Sequence, residues 1–228
     1  IDNSTINAKT MGVQVCAGSL HINDGSKITV TGDAVPKTEN DGAIQDGAAI
    51  SIVNRTGYKG LGKIEVTGGT FTAKSGNAAI KAYKWENKTE SDFNASDKVS
   101  VSGGTFSSAV KPEYCAPGLE PKGNDDGTYG VKIKANMAAE VLDAQGNTVG
   151  AYDTLAAAIT AAKNGETVKL LSDVTENVTI PAAKTITLDL NGMTLTNVDD
   201  HTILNNGNLT IMGTGRVDNI SHAKGALY

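Results

Sequence analysis

The sequence predicts an all-β fold, a β-solenoid with one short capping helix near residues 154–163. Three observations predict it. The first is a repeat: residues 63–73, KIEVTGGTFTA, return as residues 98–108, KVSVSGGTFSS, in register at a separation of 35 residues, Gly68 to Gly103. Looser copies begin at Lys27 (KITVTGD, with Gly32 36 residues before Gly68) and at Asn208 (NLTIMGTGRV). The second is period-2 alternation within each copy. Ile64, Val66 and Phe71 fall on one side and Glu65, Thr67, Thr70 and Thr72 on the other, the pattern of a strand buried on one face. The third is the Gly-Gly pair between the two short runs, which marks a corner that β-branched residues cannot turn. Strand, glycine corner and strand, recurring at a fixed period, is a solenoid signature.

Taken in order, GVQVCA (12–17), LHIND (20–24) and KITVTG (27–32) supply three short strands of one coil. AAISIVN (48–54) joins KIEVTGGTF in the next coil, and AAIKAYK (78–84) joins KVSVSGGTF in a third. The AAI elements stand 30 residues apart, Ile50 to Ile80, against 35 for the GGTF elements, so the length variation falls in the loops. The loop over 84–97 is expected to bulge from one edge. Residues 113–133, EYCAPGLEPKGNDDGTYGVKI, lose the alternation and carry Asp126-Gly127, a tight-turn signal. They read as a cap that closes a stack and covers its strand edges.

Residues 134–154 read as a connector with a hairpin near 143–148. LAAAITAAK (155–163) is the helix: Asp153 or Thr154 caps it, Leu155, Ile159 and Ala162 share one face, and Gly165 stops it. Strand patterns then resume to Tyr228. The expected organisation is therefore coils with a C-terminal cap over 1–133, a connector or hairpin over 134–154, and a capping helix with the start of a second set of coils over 155–228. That order reads as a piece of a tandem array, with open edges at Ile1 and Tyr228 suited to edge-to-edge self-association. The start, without methionine and already in strand-like alternation, agrees with a piece cut from a larger polypeptide.

Composition narrows the function. A net charge of −5 argues against nucleic acid, whose binders carry a basic stripe. No apolar run approaches the ~20 residues of a membrane-spanning helix, so no membrane insertion is expected. Aromatic residues make up 4%, which leaves a thin core of Val, Ile, Leu and Ala. Cys16 and Cys115 lie far apart with no metal-ligand spacing; they read as two independent small apolar residues, a disulfide being the alternative.

The motifs VTGGTF, VSGGTFSS, EYCAPG, NDDGTYGVK, YDTLAAAITAAKNGETVKLLSDVT and TITLDLNGMTLT together resemble the repetitive, adhesin-like surface proteins of Gram-positive gut bacteria. The resemblance implies right-handed parallel β-helix (pectin-lyase-like) domains in tandem, an extracellular place on the bacterial cell surface, and a signal peptide and wall anchor outside this segment. The cysteine of EYCAPG stands where leucine or alanine is expected.

The fold implied by the resemblance also serves polysaccharide lyases and hydrolases, which need clustered carboxylates. Asp189, between Leu188 and Leu190, reads as solvated strand face. Asp199-Asp200-His201 reads as a turn, and Asp218 lies beside Arg216. His21, His201 and His222 show no ligand spacing. No cofactor and no metal site is expected. The binding candidates are aromatic: Trp85, the only tryptophan, with Tyr83 and Phe93 around a polar loop and Tyr58 one coil earlier. Trp85 either folds back over the coil edge or anchors a partner, as Trp and Tyr do at hot spots. A second candidate surface is an outward ladder of Thr67, Thr70, Ser102 and Thr105. The expectation is a non-enzymatic binding module that engages a host protein, immunoglobulin being one choice, or a mucin-type glycan. A structural stalk is the first alternative, and a polysaccharide lyase or hydrolase the second.

Overall fold

The computed structural model describes residues 1–35, 44–220 and 224–228. Strands dominate, with a single α-helix among the described residues, so the chain is all-β in character. It divides into two compact units, Ile1–Lys132 and Ile133–Tyr228.

In the first unit the chain makes repeated passes, here termed tiers. β1 (Thr5–Ala8) precedes the first full tier and pairs with its last strand; the strands of that tier are β2 (Val13–Val15), β3 (Gly18–Ile22) and β4 (Lys27–Val30). The second tier holds β5 (Ile50–Arg55), β6 (Leu61–Val66) and β7 (Thr70–Thr72). The third holds β8 (Ile80–Glu86), β9 (Thr89–Ser91), β10 (Val99–Val101) and β11 (Thr105–Phe106). Successive tiers pair in parallel in three sheets, β2-β5-β8, β3-β6-β10 and β1-β4-β7-β11.

Alternation decides which side chains enter the core. Ile64, Val66 and Phe71, all fully buried, lie in register with Val99, Val101 and Phe106. The two phenylalanine rings stack with centroids 4.9 Å apart, a contact worth about 1 kcal/mol beyond its buried area. The corners align as well: Gly69 and Gly104 both have φ of +101°, a conformation that a side chain would strain.

Two details differ from the repeat read in the sequence. Ile28 pairs with Phe71 and Leu20 with Ile64, so the first-tier counterpart of KIEVTGGTF is LHINDGSKI and not KITVTGD. The corner between β3 and β4 is one residue longer than that between β6 and β7, which conceals the match. Thr67, expected in an outward ladder, is buried at its corner, where its hydroxyl lies 3.3 Å from both Ile22 O and Asn23 Oδ1. Thr70 is exposed, and Ser102 and Thr105 are half-buried.

The last parallel strand of this unit is met by a reversal. After a 3-10 turn at Pro112–Tyr114 come β12 (Leu119–Gly123) and β13 (Tyr129–Ile133), and β13 lies antiparallel on β11 through Phe106 and Tyr129. Asp126 holds the turn by accepting from the Thr128 amide (3.0 Å) and hydroxyl (2.6 Å), hydrogen bonds that keep its carboxyl below the usual range. Buried Tyr114 accepts from Ala82 N through its hydroxyl (3.0 Å) and so ties the turn to β8.

The second unit opens with an antiparallel hairpin, β14 (Ala139–Leu142) and β15 (Thr148–Tyr152). The region expected to be a connector thus belongs to the unit's core: Ala139, Val141 and Ala151 are 0%, 1% and 2% exposed, and β14 also pairs antiparallel with β16 (Thr167–Leu170). Between them runs α1 (Leu155–Ala161), with Thr154 Oγ1 accepting from Ala157 N (3.1 Å) as its N-cap. Its buried face is Leu155, Ala158, Ile159 and, just beyond, Ala162. The Glu176 carboxylate accepts from Leu155 N (3.0 Å) and Ala156 N (3.1 Å), so a negative charge meets the helix N-terminus.

Further parallel strands follow: β17 (Val174–Thr175), β18 (Val178–Ile180), β19 (Thr185–Asp189), β20 (Thr194–Thr196), β21 (Ile203–Asn205), β22 (Asn208–Met212) and β23 (Arg216–Val217). They stack as β16-β19-β22, β17-β20-β23 and β18-β21. The repeat is shorter here, from 20 residues (Thr167 to Thr187) to 25 (Val178 to Ile203). Asparagines join its tiers: Asn177 Oδ1 accepts from Val198 N, and Asn197 Oδ1 from Ile220 N, each at 2.7 Å.

Candidate binding site

The regular ladder of the first unit is interrupted beside β5 and β8. Both strands are buried on two faces. Ile50, Ile52, Ile80 and Ala82 enter the main core, while Val53, Tyr83 and Trp85 point the other way and form a satellite cluster with Ile44. The sequence places these aromatics on the outer face; the segment around Ile44 and Asp46 covers that face.

Asp46, only 7% exposed, organises the cover. Its Oδ2 accepts from the Tyr83 hydroxyl (2.8 Å), and its Oδ1 accepts from the Ser51 hydroxyl (2.7 Å) and Ala48 N (3.1 Å). Burial first, and then the Asp46 charge, push the Tyr83 hydroxyl far above its ordinary range, so it remains a donor. The Lys81 ammonium stands 4.9 Å from the Tyr83 ring centroid and pairs with Glu90 at 2.9 Å.

The expected polar loop over 84–97 begins as a hairpin. β8 continues to Glu86, turns through Asn87 and Lys88 (φ +50° and +60°), and returns antiparallel as β9. Positive φ at both central residues is what a tight two-residue hairpin turn demands. Trp85 therefore sits in a strand opposite Glu90 and is 4% exposed, and Tyr83 is 2% exposed. Phe93 is half-buried against the main core. Trp85 thus folds back over the coil edge, one of its two sequence readings, whereas Tyr83 and Phe93, expected to be exposed, are buried and half-buried. Tyr58 is the exposed one, at 51%, with the Arg55 guanidinium 5.4 Å from its ring centroid.

Two recesses share Trp85 as a wall. The larger, of about 430 Å³, is lined by Val35, Asp46, Lys81, Lys88 and Glu90. The smaller, of about 180 Å³, is lined by Arg55, Thr56, Glu86 and Asn87. Thr56 donates to Glu86 Oε1 (2.9 Å), and Lys84 pairs with Glu86 at 2.5 Å. Hydrogen bonds first from Lys84 and then from Thr56 hold the Glu86 carboxyl below its usual range. Trp85 and Tyr58 thus lie near Arg55, which is in register with Trp85, whereas Phe93 belongs to the core. Arg55, Asp46, Lys81 and Glu90 escaped the sequence reading. The signal for Arg55 was its place as the eighth residue of AAISIVNR, aligned with Trp85 as the eighth of AAIKAYKW.

The acidic residues considered for chemistry are engaged in turns. Asp189 Oδ1 accepts from Asn191 N (2.9 Å), Asp199 Oδ1 from Asn177 Nδ2 (2.7 Å), and Asp200 Oδ1 from His201 N (2.8 Å). Asp218 pairs with Arg216 at 3.2 Å, and His21 lies 3.2 Å from Glu65. His222 lies outside the described residues. Among the described residues no group of three or more His, Cys, Asp or Glu could hold a metal ion. Cys16 and Cys115 are not joined in a disulfide, and no described helix is long and apolar enough to cross a membrane. No family model, curated protein or solved structure matches the chain.

Proposed function

We propose that the chain is a right-handed parallel β-helix module of a bacterial cell-surface protein and that it binds a host macromolecule without catalysing a reaction. The fold reading is supported by each tier adding one parallel strand to each of three sheets. The observation that carries the binding reading is the paired recess around Trp85, flanked by Arg55 and Tyr58. Trp, Tyr and Arg supply most hot-spot energy in protein interfaces, and concave sites with a few polar groups hold ligands. The partner is a secreted host protein, immunoglobulin being the first to test, or a mucin-type glycan.

Tyr83 and Trp85 are poor probes of this reading, because truncating either opens the satellite core. Tyr58→Ala combined with Lys88→Glu changes two exposed residues, one beside Arg55 of the smaller recess and one lining the larger. In surface-capture assays against immunoglobulin and mucin glycans, this double variant is expected to weaken binding at least tenfold, with circular dichroism and melting temperature unchanged. Equal binding by variant and parent would defeat the site. Absence of binding to either partner class by the parent would favour the stalk reading, and product release from pectin-like or mucin glycans the lyase or hydrolase reading.

A further inference from the structure

The second and third tiers fall out of step at one corner, just after β7 and β11. The ladder holds as far as Ser107, whose amide donates to Phe71 O (3.0 Å). From there side chains replace backbone: Ser107 Oγ accepts from Ala73 N (2.9 Å), and Ser108 Oγ from Ala79 N (2.8 Å). Two adjacent residues of the third tier therefore span what the second tier crosses in residues 73–79. The surplus chain of the second tier, residues 74–78, has to arch outward, and Gly76, with φ of +92°, helps to turn it.

The arch borders a recess of about 420 Å³, within the range of small-molecule sites. Ser107 and Ser108 line it, with the exposed Ser75 and Ala109 and the half-buried Tyr129, whose ring packs against the main core. The hydroxyls of Ser75 and Tyr129 have no hydrogen-bond partner among the described residues. Lys74 is the one charged residue among those lining the recess, and it is paired with Asp33 at 2.6 Å. None of the lining residues belongs to the two recesses at Trp85.

We propose that this recess is a second binding site, and that its ligand is a neutral saccharide. The lining chooses the class. An apolar ligand would leave the serine and tyrosine hydroxyls without partners, at a cost for each. A carboxylate or phosphate would meet only a lysine already neutralised by Asp33. A sugar ring carries hydroxyls to match the serines and an apolar C–H face to lie on Tyr129, whose ring is apolar in body and polar at its tip. The proposal does not rest on any ligand at Trp85, since the two places share no residue.

Saturation-transfer NMR with galactose and N-acetylgalactosamine tests it, with glucuronic acid as the charged counterpart. The parent chain is expected to transfer saturation to the ring protons of at least one neutral sugar, and more weakly to glucuronic acid. Ala109→Trp fills the recess from an exposed position and should abolish the transfer. Ser75→Ala removes one free hydroxyl and should weaken binding about fivefold, the loss of one hydrogen bond. Tyr58→Ala combined with Lys88→Glu should leave the signal unchanged. Should Ala109→Trp lose its β-sheet circular dichroism, Ala78→Trp on the arch replaces it. No transfer to either neutral sugar, equal transfer in the filled variant, or preference for glucuronic acid overturns the proposal. Loss of the signal only in the Tyr58 and Lys88 variant also overturns it, and places the sugar at Trp85.

Discussion

A Cβ on Gly103 would stand 2.1 Å from the carbonyl oxygen of Thr67 in the tier beneath. That spacing belongs to the backbone, which has no rotamer by which to yield. Gly103→Val is therefore expected to destabilise the first unit by about 3 kcal/mol, as overpacking does, and urea denaturation measures it. Gly123→Ala is the control, since a Cβ there meets nothing within 4 Å and should leave the midpoint unchanged. Side-chain direction was legible wherever a residue's surroundings came from its own ladder, as with Ile64, Val66 and Phe71. It was not legible for the burial of Trp85 and Tyr83, whose cover, Ile44 and Asp46, comes from some 40 residues earlier in the chain. Alternation reports which face a side chain takes, and is silent about what later lies on that face.

At the scale of elements, α1 shows how one short helix is held. Seven residues are too few to be stable alone; burial of Leu155 and Ile159 and two capping groups hold it in place. Glu176→Ala removes a carboxylate that accepts from two amides at the helix N-terminus, and is expected to lower stability by about 1–2 kcal/mol. Glu176→Gln, which keeps an acceptor, should lose less, and thermal unfolding ranks the two. The helix, its Thr154 cap and its buried face were all readable, because they follow from neighbours in sequence. The hairpin of β14 and β15 was visible as a turn around Asp143, yet its place against β16 was not. That pairing joins residues almost thirty positions apart through short strands with no distinctive alternation. The β8–β9 hairpin was missed for a different reason: Asn87-Lys88 lacks the glycine by which such turns are usually recognised, although asparagine tolerates positive φ.

At the scale of the whole molecule, the 35-residue period describes only part of the chain. The second unit repeats at 20 to 25 residues, so NLTIMGTGRV matched the first unit's motif in composition without sharing its period. The asparagine ladder of Asn177 and Asn197 was equally present in the sequence, in ENV and TNV, but only the stacking of tiers gives those side chains their partners. Sequence periodicity thus exposed parallel pairing and concealed the differences in tier length, which are absorbed in corners and loops.

Those unequal tiers have a mechanical consequence. Tension peels edge strands more readily than it shears a whole sheet, so a chain pulled from its ends would yield one turn at a time. An unravelled tier of 20 to 25 residues in the second unit releases about 70–90 Å of contour, and one of 30 to 44 residues in the first about 100–155 Å. Single-molecule stretching should therefore record two classes of step, short and long. A chain built this way would lengthen under tension by small increments instead of failing at once.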